Sequence, residues 1–382
     1  MGTQATISER NRRFARLQDA MMKEELDVLL VAGKGHSSSG RGYFRWLTDF
    51  HLWGHDGMIL FPLEGDPMLT LTSAGVAKRI ATTPGWIDHA QGDWYVTPTI
   101  VTELKRRGLD RGRIGIAGYE FIVGAGAFHR LQEGLPDAAL INADHMMNRV
   151  RAIKSPLEVQ QIRELWAMTK GAMERFVTHL EPGMTEKQAS MESVRYIHEH
   201  GARNYLIFHN GNIPTDRLVE LEDILAYHME VCGKSGHCNE LTVTLAFRDP
   251  TPDELRIMEA EFSVYEEIQK AAKPGARLGD LFDQYERALV EAGFELADEP
   301  LHHYEFHGQG MDWTEWPTFA PNDPVNHDVE LQAGMVINYH PAANIKPTAD
   351  VRQKTGINDH LLITENGSIR LSGDWDMRWR IV

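Results

Sequence analysis

Over the first 142 positions, short apolar runs alternate with amphipathic stretches, the rhythm of an α/β domain. From Ile7 onward, Phe14, Leu17 and Met21 recur on one helical face, with Ser8 as the expected N-cap. "DVLLVAG" follows as a buried strand, and "GMILFPLEGDPMLTL" as two apolar strands around a Pro/Gly/Asp turn. A helix near 97–107, the strand "RIGIAG" and a helix–strand pair at about 125–142 complete the unit. It ends near "RVRAIKSPLE", where Pro156 opens a long helix in its first turn. Since 382 residues exceed one ordinary core, two domains are expected, over 1–152 and 153–382.

The second half echoes itself. "HLEPGMTEKQASMESVRYIHEHGA" and "AAKPGARLGDLFDQYERALVEAGF" each read as a helix end, a Pro-Gly turn, an amphipathic helix and a closing glycine. Strand-rich sequence follows each: "LIFHNG" through "NELTVTLAF", then "HHYEFHG" through "DHLLITENG". The plan predicts two helical layers covering one antiparallel sheet. Within it, "LQAGMVINYHPAAN" predicts a buried strand over 335–339, entered from an Ala-Gly turn and stopped by Pro341, with His340 at its end.

Composition narrows the partners. The chain is 42% hydrophobic and 25% charged, as in globular proteins, and no apolar run approaches the roughly 18 residues of a membrane span. The N-terminal stretch has no secretory apolar segment. Gly2 after Met1 is like the start of a myristoylation signal, yet no membrane partner is expected. A net charge of −16 without a dense basic cluster argues against nucleic acid. Cys232 and Cys238 alone make no disulfide framework and fit a reducing compartment. A cytoplasmic location is the expectation.

Four polar residues fall within or at the ends of strands in the second half: His228 in "DILAYHMEV", Glu240 in "GHCNELTVTL", His307 in "YEFHGQGMD", and His340. One strand histidine is more often a bonded core residue than a catalyst. Glu240 is harder to explain by packing, because a carboxylate in a buried sheet costs several kcal/mol unless paired. "CGKSG" lacks the first glycine of a phosphate loop, and Cys232, His237 and Cys238 lack a second ligand pair for a zinc knuckle. "DWTEW" could line a pocket or simply pack.

The chain resembles the pita-bread superfamily of creatinase, aminopeptidase P and methionine aminopeptidase. "RAIKSPLEVQQIRE", "LEPGMTE", "KPGARLGD", "HGQG" and "LQAGMVINYHP" recur in that family's order. The resemblance implies an α/β ribonuclease-H-like N-terminal domain of creatinase type and an α+β pita-bread C-terminal domain, in a homodimer. The family's metallopeptidases hold two metals with two Asp, one His and two Glu. Aligned by motif, these positions fall on His228, Glu240, His307, His340 and Asn358. One carboxylate and three neutral imidazoles would then face two divalent cations, so no dinuclear centre and no Xaa-Pro aminopeptidase activity are expected.

Two enzyme readings follow. In the first, which resembles creatinase, no metal is used: Glu240 anchors a cationic group of the substrate, His307 shuttles the proton, and His228 and His340 orient or relay. The creatinase base maps onto His209 in "FHNGN". The reaction is hydrolysis of a C–N bond in a cationic or zwitterionic metabolite. In the second, His228, Glu240, His307 and His340 hold one divalent transition metal (Zn, Fe, Mn or Ni) for a hydrolase or lyase. "HGQGMDWTEWPTFAP" and "FHLWGHD" resemble the metal-dependent dimethylsulfoniopropionate lyases of the superfamily, which implies an aromatic cage from Trp313, Trp316 or Trp53 around an onium group. By resemblance to creatinase, Trp53 and His55 of a neighbouring subunit complete the pocket, beside Asn358. A third reading is an inactive pita-bread protein that binds a partner.

Overall fold

The computed structural model describes the chain apart from residues 1–3, 37–39, 83–85, 223, 298–305, 320–325, 342–344 and 347–356. It divides into two units, Met1–Arg151 and Ala152–Val382. Residues 302–305 of the expected "HHYEFHG" strand and residues 342–344 of "LQAGMVINYHPAAN" lie outside the described residues.

In the first unit the order is α1 (Gln4–Lys23), β1 (Val28–Lys34), α2 (Gly42–Thr48), β2 (Asp56–Pro62), β3 (Met68–Leu71), α3 (Ala74–Thr82), β4 (His89–Gly92), α4 (Val96–Arg107), β5 (Arg113–Ala117), α5 (Ala125–Gly134), β6 (Ala139–Asn142) and α6 (Asp144–Ala152). A mixed sheet runs β4-β3-β2-β1-β5-β6. Its central strand β1 is buried on both faces, which is why "VLLVAG" shows no alternation. Val28, Leu30, Leu60, Ile114 and Ile116 pack against Ile100 and Leu104 of α4 and Leu131 of α5. Ser8 is not the N-cap: α1 starts at Gln4, because the preceding residues tolerate helix and extend it.

The second unit runs α7 (Pro156–His179), α8 (Glu186–Glu199), β7 (Asn204–His209), β8 (Ile224–Cys232), β9 (Cys238–Ala246), α9 (Pro252–Ala271), α10 (Leu278–Glu291), β10 (Phe306–Gly308), β11 (Glu315–Phe319), β12 (Val336–Tyr339), β13 (Asp359–Thr364), β14 (Gly367–Arg370) and β15 (Arg380–Ile381). Ser155 and Glu158 form a capping box that starts α7 with Pro156 in its first turn; Thr251 and Glu254 do the same for α9. The two helix pairs cover different strands. Trp166, Met173 and Phe176 of α7 pack on Leu225, Tyr227, Val231, Leu241 and Val243. Tyr265 of α9 and Phe282 and Tyr285 of α10 pack on Phe306, Ile337, Tyr339 and Leu361. Burying each such side chain contributes about 1.5–3 kcal/mol.

Two expectations are corrected here. The strands form not one antiparallel sheet but two, β11-β10-β12-β13-β14 and β15-β9-β8-β7, with β15 parallel to β9. A backbone hydrogen bond from Cys238 to Gly310, 2.7 Å, ties the hairpin of one sheet to the loop after β10 of the other. The two cysteines are also not free: Cys232 and Cys238 form a disulfide, because the β8–β9 register sets them directly opposite. The inference of a reducing compartment from unpaired cysteines therefore falls. Among the described residues no helix is long and apolar enough to cross a membrane.

Candidate functional site

Strand parity builds the site. Along β8, Tyr227, Met229 and Val231 turn into the core beneath α7 and α8. The period of two then sends His228 and Glu230 to the other face. On β9, Thr242 lies opposite His228 and Glu240 opposite Glu230, so all four side chains share that face. From the second sheet, His307 of β10 lies opposite Asn338 of β12, which lies opposite His360 of β13. His340 follows two residues after Asn338.

Glu240 is the centre. Its Oε1 is 3.1 Å from His307 Nε2 and its Oε2 is 3.4 Å from His228 Nε2. His228 Nε2 is also 3.5 Å from Glu230 Oε1. Each imidazole is held by its other nitrogen: His307 Nδ1 donates to the Gly308 carbonyl at 2.9 Å, and His228 Nδ1 meets Thr242 Oγ1 at 2.9 Å. The Asn338 amide lies 3.0 Å from His307 Nε2, and Asn358 donates to Asn338 at 3.4 Å. The His340 ring stands edge-on to His307, with centroids 5.0 Å apart. Phe208 flanks His228 at 5.9 Å.

Charge follows from this geometry. Burial alone would raise the Glu240 carboxyl, but the bond and charge of His307, with the charges of His340 and His228, hold it well below the usual carboxylate range. Burial alone would lower His307, yet Glu240 holds it above its ordinary value; Glu230 and Glu240 do the same for His228. The pair is an imidazolium–carboxylate couple in a buried setting, a proton donor and acceptor already in contact.

His228, Glu240, His307 and His340 converge, with Asn358 reached through Asn338. His209 does not join them. It lies opposite Tyr227 on the helix-facing side of β7, with Nε2 2.8 Å from Ser190 Oγ and its ring edge-on to Phe176. That environment is a core niche, and burial pushes its pKa down to about 4. Trp313 is buried, and Trp316 packs against the α9–α10 core. Trp53 and His55 belong to the first unit, where the Arg41 guanidinium already sits 4.9 Å from the centre of the Trp53 ring.

Glu230 is the residue that motif alignment passed over. It adds a second carboxylate, so the count of one negative side chain is corrected to two. Glu240 is likewise not a free cation anchor, since both its oxygens face imidazoles.

A family follows from the sequence comparisons. The chain belongs to metallopeptidase family M24, whose model matches residues 160–365, and the creatinase/prolidase N-terminal domain matches residues 13–153. The two units are thus the creatinase-type N-terminal domain and the pita-bread domain. Among relatives, it is 26% identical to an uncharacterized peptidase of Staphylococcus saprophyticus over 60% of this chain and 65% of that one. It is 23% identical to the ectoine hydrolase of Halomonas elongata over 93% of both. The prolidase of Pyrococcus horikoshii shares the fold, with a TM-score of 0.78 and 19% identity over 96% of this chain and 99% of that one.

Proposed function

We propose that this protein hydrolyses a C–N bond in a small cationic or zwitterionic metabolite, with Glu240 and His307 as its acid–base pair. The observation that carries the reading is the 3.1 Å contact of Glu240 Oε1 with His307 Nε2 in a buried site. His307 can give its proton to the leaving nitrogen while Glu240 accepts one from the attacking water, so charge never accumulates on the scissile group. Glu230, half-buried and turned to the same face, is the second carboxylate there, 3.5 Å from His228 Nε2 through one oxygen, and we assign it the substrate's cationic group. Similarity to an ectoine hydrolase along nearly the whole chain supports a non-peptidase substrate. Similarity to peptidases argues for hydrolysis as the reaction class.

The residues also fit a divalent transition metal, which the family implies. Nδ1 of His228 and of His307 is engaged, so each presents Nε2 inward. His228, Glu230 and Glu240, or Glu240, His307 and His340, offer ligand atoms within 4.8 Å of one another. Two carboxylates balance one such ion, and a second would leave uncompensated charge in a buried place. When bound, one ion supplies Lewis acidity for a hydrolase or lyase. Glu230 is the observation that favours this second reading.

The test is turnover on a panel of amidines, guanidines and ammonium amides that includes ectoine and creatine, beside Xaa-Pro dipeptides. The reading predicts release of amine or ammonia from a panel member and its loss in Glu240→Gln. Turnover of the dipeptides alone would overturn it. A homodimer in which the Trp53–His55 segment of one subunit closes the pocket of the other belongs to the same proposal. Trp53→Ala should then raise KM while the protein sediments as a dimer.

A further inference from the structure

His360 lies on the same sheet face as His307, with Asn338 between them in register, and it is fully buried. Its Nδ1 is 3.3 Å from Trp166 Nε1, and the two rings stand edge to face at 5.0 Å. An indole N–H only donates, so Nδ1 must accept, and the ring's proton is on Nε2. That Nε2–H has no hydrogen-bond partner among the described residues. A buried donor left unmatched costs roughly 1–3 kcal/mol, so its position on the sheet face of the acid–base pair, one strand beyond Asn338, calls for a ligand.

We propose that His360 Nε2–H is a substrate-binding donor that receives a carboxylate or carbonyl oxygen on the sheet face that carries His307. This rests on the hydrolase reading and sharpens it. The polar groups form a succession of neighbours from one sheet to the other: Glu230, His228, Glu240, His307 and Asn338 by contact, then His360 by strand pairing. A carboxylate stands at one end and a neutral donor at the other. A cation has no acceptor to offer His360, and an oxygen anion is repelled by Glu230. The arrangement therefore selects a molecule with a cationic end and an oxygen end, bound so that the bond to be cut lies over Glu240 and His307. With Nδ1 accepting from Trp166 and one proton on Nε2, the ring is neutral and does not compete with His307 for the reaction proton.

The probe is acetate, the simplest oxygen end, titrated into the full-length protein labelled with nitrogen-15 histidine. The wild type should show a ring protonated on Nε2 whose signal vanishes in His360→Phe, and that signal should move saturably with acetate. Acetate affinity should fall by about tenfold or more in His360→Phe, and stay within about threefold in His360→Gln, whose amide restores a donor. Protonation on Nδ1, an Nε2–H signal that acetate leaves unmoved, or equal affinity in His360→Phe would each overturn the proposal. Acetate binding needs no turnover. A protein that binds acetate this way but cleaves no C–N bond would refute the hydrolase reading and leave the His360 subsite standing.

Discussion

Glu230 and Glu240 stand directly opposite one another across the β8–β9 hairpin, two carboxylates on one face of an antiparallel pair. Like charges so placed destabilise a sheet unless a cation separates them. His228 Nε2 supplies it, 3.5 Å from one and 3.4 Å from the other.

Removing that bridge should expose the repulsion. His228→Gln is expected to destabilise the protein by about 1–3 kcal/mol, and Glu230→Gln in the same chain should recover much of the loss. A double-mutant cycle in denaturant checks this; additive losses would mean that the three groups do not interact.

Glu240→Gln keeps the shape of the side chain and removes its charge. Hydrolysis should fall by about 10²–10⁴-fold in kcat, the usual range for a lost acid–base partner. Single-turnover kinetics on the substrate found by the panel provides the number.

Acid should act through His209. Its folded pKa of about 4 lies below the ordinary histidine value because the buried ring is kept neutral, next to Ser190 and with Glu186 and Arg217 nearby. Between about pH 6.5 and 4 the unfolded chain binds more protons, so stability is full above that window and declines as pH falls through it. The loss attributable to His209 is about 3 kcal/mol. His360, lowered to about 3, adds to the same slope. Unfolding free energies of His209→Gln measured from pH 7 to 4 should show a shallower decline than the wild type.

The Cys232–Cys238 bridge closes a short loop at the end of the hairpin that carries His228, Glu230 and Glu240. Closing so few residues stabilises by about 2 kcal/mol in the chain-entropy account. Melting with and without reductant should show a drop of a few degrees, and the Cys232→Ser, Cys238→Ser double variant should show none.

Much of this was legible where one physical rule acted alone. Ser155, Pro156 and Glu158 announce the start of α7, and Gly334 with a positive φ enters β12 as the Ala-Gly turn requires. His340 falls at the strand end because Pro341 cannot continue the ladder. Glu230 was readable too: Tyr227, Met229 and Val231 alternate with His228 and Glu230, and period two makes the latter neighbours. Motif alignment obscured it by assigning one residue per ligand position. His209 was not readable. In "YLIFH" both faces of β7 are apolar, so no alternation indicates which side the histidine takes, and packing against Phe176 and Tyr227 decides it. The disulfide depended on a hairpin register that composition does not contain. The split into two sheets rests on pairings between strands far apart in the chain, such as β12 with β10 and β15 with β9, which local patterning does not contain.

The most direct test is metal stoichiometry. The full-length protein would be equilibrated with excess Zn, Mn, Fe or Ni, freed of unbound ion, and its metal and protein quantified together. With Glu230 and Glu240 as the only carboxylates facing these imidazoles among the described residues, saturation at no more than one ion per chain is predicted for every metal. Two ions per chain, both lost in Glu240→Gln, would contradict it.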